Sequence, residues 1–427
     1  MRASAFCMTL QTSFPASAPM EAKMKADHNR TFRITTFALL YFVQGAGLAY
    51  FRNFQKPYLS SLQIDPDIIG LISSLLLLPF ILKIFIGILS DRVNLIGLGH
   101  RKPYIILGLL LAAISFAGAG FVLPDQNLTL FSILILLGSF SVTLFDSTTD
   151  GLAIDTTPSD DYGKVQGIMV GGRAAGIILL SLLFGLLVQR FNYRVVFIII
   201  GAMMLLPLIL VLRIKEPPQR EEARRFDWSA FGVFTKPQML LFAAYAVIYS
   251  IASFGIDGLI TFFLSDHFGA AETVIGQYGS LRGIGAVFGS ILGGLIIDRL
   301  GRRTSSNAAV LLISVGGILI GIASSSGMLL IMGLLWGLFW AFQETIFFAL
   351  AMDLTDARIA ATMFAIMMAI SNLGTAVGEG LATALVDNVG FAGVFIGLSV
   401  INLACLPILG RLFRRLGRDH TPVAGTP

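Results

Sequence analysis

Carboxylates and cations recur inside long apolar segments of this chain, where an unpaired charge is costly. Asp146 and Asp150 stand four residues apart, so they share one face of a helix, and Asp155 follows near the end of the same segment. Two neighbouring carboxylates in a medium of low dielectric cannot both ionise cheaply, so the pair predicts a proton-carrying site. Arg173, inside the next apolar segment, is the expected cationic partner.

A purely structural role competes with that interpretation. Asp146, Asp150 and Arg173 could form a static network that holds two helices together, because structural ion pairs also occupy helix bundles. Asp150 and Asp155 could instead simply reach water at the end of their segment.

The second half of the chain carries its own intramembrane charges, Asp257, Arg282, Glu344 and Glu379. Such charges should face a cavity or one another. Arg282 suits a carboxylate or phosphate, and Glu344 suits protons or a substrate amine. For Asp257 and Glu379, contact with water near the segment ends is at least as good an explanation.

Further polar side chains in apolar segments are candidates for the lining of a cavity. Lys83 offers a second cation for an anionic solute, although it could instead extend to the membrane surface. Gln343, beside Glu344, forms the favoured pair of the second half. The other candidates for solute contact are Tyr41, Gln44 and Trp340.

Composition explains why these charges must be embedded in a membrane. Of 427 residues, 56% are hydrophobic and 13% charged, and the mean hydropathy is +0.82. A bilayer core of about 30 Å is crossed by about 20 helical residues. Twelve apolar segments satisfy that length approximately, and they predict an all-α membrane protein with 12 transmembrane helices. Their limits are 34–51, 67–89, 103–123, 128–152, 164–189, 194–212, 238–263, 273–297, 306–323, 328–352, 359–384 and 391–410.

The distribution of Lys and Arg predicts how the chain is oriented. Only four of the 30 cations, Arg52, Lys56, Arg190 and Arg194, fall in the outer loops if the N-terminus is cytoplasmic. The positive-inside rule therefore predicts that both termini are cytoplasmic. The membrane expected for this protein is the inner (plasma) membrane. The same rule accounts for the net charge of +5, so nucleic-acid binding is not expected.

The chain divides into two membrane halves. Residues 1–30 are expected to be a disordered cytoplasmic tail, 31–212 a six-helix bundle, 213–236 a charged cytoplasmic linker, 237–412 a second six-helix bundle and 413–427 a tail. Two cysteines, Cys7 and Cys405, give no disulfide framework, and no Cys/His spacing predicts a metal site. No catalytic motif appears, so neither an enzyme nor a cofactor is expected.

A repeated Gly-x-x-x-Asp-Arg motif follows the second segment of each half. The second copy continues as Gly-Arg-Arg, whereas the first has a longer loop before the cations Arg101 and Lys102. This pattern resembles the major facilitator superfamily over residues 31–415. The residues of the two motifs are Gly87, Asp91, Arg92, Gly294, Asp298, Arg299, Arg302 and Arg303.

Details of the first half indicate a particular branch of this superfamily. The first half resembles one branch of this superfamily, which contains AmpG-type muropeptide permeases, acetyl-CoA transporters and folate-biopterin transporters. The resemblance lies in the arrangement of Pro79, Lys83, the extended Asp-Arg loop and the three aspartates from Asp146 to Asp155. The resemblance implies two six-helix bundles related by a pseudo-two-fold axis around a central cavity.

The resemblance also implies a cytoplasmic gate at the two motifs, with Asp155 beside it. Asp91 would face the start of the eleventh helix and Asp298 the start of the fifth, where a carboxylate favours the positive end of the helix dipole. The alternative is a polar turn with basic membrane anchors.

The function expected from these features is secondary active transport. A small organic solute, with an anion favoured, would cross by alternating access coupled to protons, through a monomer in the lipid bilayer. The alternative is a non-transporting membrane factor of the same fold that binds a pigment, lipid or partner protein.

Overall fold

A computed structural model describes residues 20–95, 99–157, 162–214, 216, 232, 234–354 and 360–419, and these residues are helical or in short connections without a β-strand. In the first half, α1 passes through a π-helical segment, Tyr50–Phe54, into α2. The helices of this half are α1 Met20–Ala49, α2 Gln55–Ser61, α3 Pro66–Ile81, α4 Lys83–Arg92, α5 Lys102–Ala119, α6 Leu128–Thr156, α7 Tyr162–Arg190, α8 Tyr193–Leu205 and α9 Leu208–Arg213.

The second half follows the same plan. Its first helix, α10, also runs into a π-helical segment, Phe263–His267. The helices are α10 Pro237–Phe262, α11 Glu272–Gly321, α12 Ser326–Asp353, α13 Ala360–Ala384, α14 Val386–Leu403 and α15 Cys405–Asp419. α11 contains two spans that meet at Gly301, whose φ of 77° breaks the helical backbone.

The predicted membrane architecture is confirmed. Ten stretches of the described residues are long and apolar enough to cross a bilayer. The second span is divided between α3 and α4, and the eleventh is α13. Together these twelve spans form two bundles of six helices, the fold class expected from the sequence.

Several boundaries differ from those predicted. The first span runs over Arg30–Ser61, well past the expected end at residue 51, so Arg52 and Lys56 lie in a membrane helix rather than in an outer loop. α1 begins at Met20, inside the expected tail, and α15 continues into the expected C-terminal tail, to Asp419. Residues 1–19, 420–427 and most of the linker lie outside the described residues.

The break between α3 and α4 positions a lysine. Pro79 lacks an N–H group and cannot bond to the carbonyl one turn earlier, which weakens the helix at that point. α3 ends at Ile81, and α4 begins at Lys83. Pro79 thus explains why a new helix begins in the middle of the second span, with Lys83 as its first residue.

Glycines bring α11 and α12 into backbone contact. A Cβ added at Gly285 would lie 2.0 Å from the Leu334 carbonyl oxygen, and one at Gly289 would lie 2.1 Å from that of Leu338. From the other helix, a Cβ at Gly337 would lie 2.0 Å from the Arg282 carbonyl oxygen. Small residues are what permits such close approach of membrane helices.

We expect Gly289→Ala to destabilise the protein, because the added methyl group must push α12 away from α11. Overpacking of this kind costs about 1–3 kcal/mol. The control is Gly397→Ala on α14, where an added Cβ meets nothing within 4 Å. Thermal unfolding in detergent should show a lower midpoint for Gly289→Ala only, and equal midpoints for the two variants would contradict this packing.

Candidate functional site: charged clusters between two helical bundles

The two bundles meet at one end of the molecule, which we call the far side because it lies opposite the linker. α7 contacts α11 there, and a Cβ at Gly185 would lie 2.4 Å from the Glu272 carbonyl oxygen. α3 contacts α13, and a Cβ at Gly70 would lie 2.6 Å from the carbonyl oxygen of Gly380. The far side is therefore closed by helices in backbone contact.

Hydroxyl groups extend the same contacts toward the middle of the membrane. Ser280 Oγ donates to the Ile178 carbonyl oxygen at 2.7 Å, which ties α11 to α7. Ser74 Oγ donates to the Ala376 carbonyl oxygen at 2.8 Å, which ties α3 to α13. Both bonds cross between the bundles, so the closure rests on directional contacts as well as on shape.

The linker side is more open. A Cβ added at Gly167 or Gly171 on α7, or at Gly294 on α11, would meet nothing within 4 Å. Gly171 and Gly167 lie two and three turns beyond Ile178, and Gly294 lies three turns beyond Gly283, the last contacts of these two helices with each other. Among the described residues, the contacts between α7 and α11 therefore lie on the far side.

A polar stripe on the first span faces the second bundle. Arg52, Lys56 and Ser60 are four residues apart, so they lie on one helix face. Lys56 Nζ donates to the Gly258 carbonyl oxygen at 2.7 Å and lies 3.5 Å from Glu379 Oε2. Ser60 Oγ donates to Asp266 Oδ1 at 3.0 Å. The stripe joins the bundles on the far side.

Asp257 is the centre of a cluster that includes Arg52. Arg282 donates two hydrogen bonds to its carboxylate, at 2.5 and 2.6 Å. Trp336 Nε1 donates a third at 2.8 Å, and Arg52 Nη1 lies 3.4 Å from Oδ2. Asp257 is 7% exposed and Arg282 6%. The expectation that Asp257 touches water is therefore wrong, because two cations and an indole cover it.

Trp340 and Glu344 lie beside this cluster on α12. The Arg282 guanidinium carbon lies 4.6 Å from the Trp340 ring centre, and that of Arg52 lies 5.6 Å away. Glu344 is partly exposed and interacts electrostatically with Arg52. Arg282, Trp340 and Glu344, all predicted as site residues, are thus brought together by α11 and α12, with Arg52 from the first span.

A second cluster lies within the first bundle. Lys83 Nζ lies 2.6 Å from Asp146 Oδ2 and 2.9 Å from Asp150 Oδ2. The Tyr41 hydroxyl donates to Asp150 Oδ1. Asp146 is buried, with its side chain 4% exposed, whereas those of Lys83 and Asp150 are 35% and 33% exposed. One face of this cluster is therefore not covered by the protein.

The cation expected between the two aspartates was misidentified. Lys83, rather than Arg173, pairs with Asp146 and Asp150, because the break after α3 turns it toward α6. Arg173 instead places its guanidinium carbon 5.5 Å from the Tyr41 ring centre. Lys83 also does not extend away to the membrane surface.

Two amides expected to line a cavity are buried inside their bundles. Gln44 is 1% exposed and Gln343 is fully buried, so neither presents its side chain to a solute in this conformation. The expected Gln343–Glu344 pair is therefore divided: Glu344 remains accessible, while Gln343 points into the packing of the second bundle.

The expected gate residues have mixed outcomes. The side chains of Asp91, Arg92 and Asp298 lie outside the described part of the structure, and the gate contacts remain predictions. Arg299 and Arg303 are exposed. The described side chains nearby form two similar pairs, one in each bundle: Arg101 with Asp155 at 3.2 Å and Arg302 with Asp353 at 2.6 Å.

Sequence reasoning missed Arg52, Lys56 and Glu216. The hydropathy pattern places the first two in an outer loop, although their spacing of four, continued by Ser60, is that of a helix face. Glu216 accepts the backbone N–H groups of His100, Arg101 and Lys102, with distances of 2.7 and 3.0 Å to the first two. It satisfies free N–H groups at the start of α5 from within the linker, and no sequence motif indicates this.

Two bundles of six apolar helices, closed on one side around buried ion pairs, define a multi-pass membrane protein of the internally repeated transporter type. The family model described as Major Facilitator Superfamily matches residues 37–263 and 245–427, so this chain belongs to that superfamily.

Relatives of the chain carry the names of solute transporters. It is 27% identical over 275 residues to "Probable folate-biopterin transporter 7" of Arabidopsis thaliana, covering 59% of this chain and 58% of that protein. It is 23% identical over 289 residues to "Folate-biopterin transporter" of Synechocystis sp., covering 65% of this chain and 57% of the relative. It is 26% identical to "Sialic acid transporter NanX" of Escherichia coli over 51% of this chain and 52% of the relative. The chain thus spans less than two thirds of the length of these relatives.

Solved structures confirm the fold. The chain superimposes with a TM-score of 0.75 on a bacterial homologue of the human lysosomal transporter Spinster in an inward-facing and unoccupied conformation, at 16% identity, covering 92% of this chain and 99% of that one. The nucleoside transporter NupG gives a TM-score of 0.72 at 14% identity, covering 90% and 99%. These relatives and neighbours are transporters rather than enzymes, as expected for this chain.

We expect Asp257→Asn to destabilise the protein by about 3–5 kcal/mol, because it leaves Arg282 and Arg52 without their shared carboxylate in a poorly hydrated interior. The matched control is Asp353→Asn, since the Arg302–Asp353 pair is about two-fifths exposed and a pair of that kind contributes about 0–1 kcal/mol. Unfolding of both variants in the same detergent measures the difference.

A double-mutant cycle tests the pairing itself. Asp257→Leu combined with Arg282→Met should cost less than the sum of the two single changes, because neither partner is then left as an isolated buried charge. Additive single effects would contradict a direct interaction of the two side chains.

Proposed function

We propose that this chain is a proton-coupled secondary transporter of a small organic solute, with an anion favoured, in an inner (plasma) membrane. In this proposal it acts as a monomer, with both termini in the cytoplasm. The observation that carries the proposal is the placement of two ionic clusters between and within bundles whose described contacts are concentrated on the far side.

Alternating access requires a crevice that is shut toward one compartment at a time. The far-side contacts of α7 with α11 and of α3 with α13 supply one closure. If the linker is cytoplasmic, as the distribution of Lys and Arg favours, the described conformation faces inward. The likeness to an inward-facing homologue agrees with this assignment.

The Lys83 cluster is our candidate for proton coupling. Two carboxylates share one cation, which leaves an excess negative charge that a proton can neutralise. Because Asp150 is the more exposed of the two, it is the group that solvent protons reach first. A proton on this carboxyl group weakens its attraction for Lys83, which then stays paired with Asp146 alone.

The Arg52–Arg282–Trp340 group is our candidate for solute contact. Two guanidinium groups beside an indole ring favour an anion with a planar or apolar portion, since guanidinium binds carboxylate and phosphate in a fixed fork geometry. Glu344, nearby and partly exposed, is a second candidate for carrying a proton. The names of the relatives make pterins, sialic acid and nucleosides the first compounds to test.

A thermal-shift screen of those compounds, sugar-peptides and acyl anions identifies a ligand, whose uptake is then measured in proteoliposomes with an imposed pH gradient. We expect uptake to depend on the gradient, and Asp150→Asn or Glu344→Gln to remove that dependence. Asp125→Asn, the same chemical change in an exposed loop, is the control. Uptake indifferent to the gradient and to both variants would eliminate the coupling scheme, and binding without uptake would favour a non-transporting factor.

The closed far side can be tested by cross-linking. Ser60 Oγ and Asp266 Oδ1 lie 3.0 Å apart on different bundles, so cysteines at both positions are expected to form a disulfide under mild oxidation. The bond should block uptake, and a reductant should restore it. The native Cys405 is fully buried, and each single variant serves as control. Failure of the pair to cross-link would contradict the conformation described here.

A further inference from the structure

A cationic recess on the linker side of the second bundle lies apart from both charged clusters. It has a volume of about 470 Å³ and lies between the first turns of α10 and the last turns of α15. Its walls combine apolar and basic groups, Pro237, Leu240, Leu241, Arg411, Arg414 and Arg415.

The three arginines of this recess have no carboxylate partner among the described residues. All three are exposed, and among the described residues none forms an ion pair. Arg414 is held in place by a hydrogen bond of 3.1 Å from its Nε to the Gly410 carbonyl oxygen. Lys236, also exposed, adds a fourth cation just before α10.

The position of the recess indicates what kind of anion it suits. Leu240, 58% exposed, and Leu241 belong to a helix that crosses the membrane, so the floor of the recess continues into a lipid-facing surface. α15 completes the last span, which runs over Val386–Leu416, and its arginines fall at the end of that span. Basic groups directly beside an apolar surface, at the end of a membrane helix, match the structure of an anionic lipid.

The backbone of α10 adds positive charge to the recess. This 26-residue helix begins at Pro237 after Lys236, whose side chain forms no capping hydrogen bond. The positive end of its dipole therefore adds to the charge of the arginines.

We infer that the recess between α10 and α15 binds the headgroup phosphate of an anionic phospholipid, with an acyl chain against Leu240 and Leu241. The site is separate from the solute path and does not depend on the proposed transport function. Because α10 also carries Asp257, an occupied recess would hold the first helix of the second bundle at the membrane surface.

Lipid retention by the purified full chain tests this site. Native mass spectrometry compares the retention of phosphatidylglycerol and phosphatidylcholine by the wild type, by Arg411→Gln/Arg415→Gln and by Arg190→Gln/Arg213→Gln. The last pair removes two exposed arginines from the first bundle and is the matched control. Each basic group near a membrane surface contributes about 1 kcal/mol, or about fivefold in affinity, so the first pair should bind phosphatidylglycerol roughly 30-fold more weakly.

Two further measurements separate the possible outcomes. Leu241→Trp keeps every charge but fills the recess, and it should also reduce retention, which guards against a loss caused by poor folding of the arginine variant. Short-chain phosphatidylglycerol should raise the unfolding midpoint of the wild type, whereas inorganic phosphate should not. Equal retention of the two lipids by the wild type, an equal loss in the control variant, or a full effect of inorganic phosphate would each overturn the lipid site.

Discussion

The cost of an unpaired charge in a poorly hydrated interior governs this structure. A guanidinium or ammonium group inside the membrane must be matched by a carboxylate, and breaking such a pair costs several kcal/mol. Asp257 pairs with two arginines. Lys56, which is 3% exposed, is bound by Glu379 and a backbone carbonyl. Because Arg52 and Lys56 belong to the first bundle and their partners to the second, charge pairing itself holds the bundles together on the far side.

The two clusters differ in what they can exchange. The Asp257 cluster has two cations to one carboxylate and is closed at its centre, since Asp257 and Arg282 are only 7% and 6% exposed. The Lys83 cluster has the opposite imbalance, one cation to two carboxylates, and the side chains of Lys83 and Asp150 are about one third exposed. In the proposed transport cycle the Lys83 cluster responds to protons. The charges of the Asp257 cluster must find new partners before the far side can open. A solute anion is one such partner for Arg52.

The sequence predicted the membrane fold and the residue types of the site, but not how they pair. Span number, repeat and the ionisable residues follow from hydropathy and from the cost of burying charge, which is why Arg282, Glu344 and Asp150 were identified. The partner of Asp146 was wrong, because it depends on how Pro79 breaks the second span and turns Lys83. Arg52 and Lys56 were missed for another reason. The hydropathy of the first span ends near residue 51, whereas its helix continues because Asp257, Glu379 and Gly258 on another bundle supply the partners that its cations need.

Contacts within the bundles and between them have different physical characters. Within the second bundle, α11 and α12 are joined backbone to backbone at Gly285, Gly289 and Gly337, which leaves little room for movement. Between the bundles, small residues also meet on the far side, and the polar contacts of the described residues lie there and near the middle of the membrane. In the proposed cycle, a rocking motion has to break these backbone and polar contacts of the far side while each bundle stays rigid. The polar contacts among them involve groups for which protons and a charged solute can compete. The distribution of glycine contacts and ion pairs thus distinguishes the contacts that break in the proposed cycle from the helix packing that stays rigid.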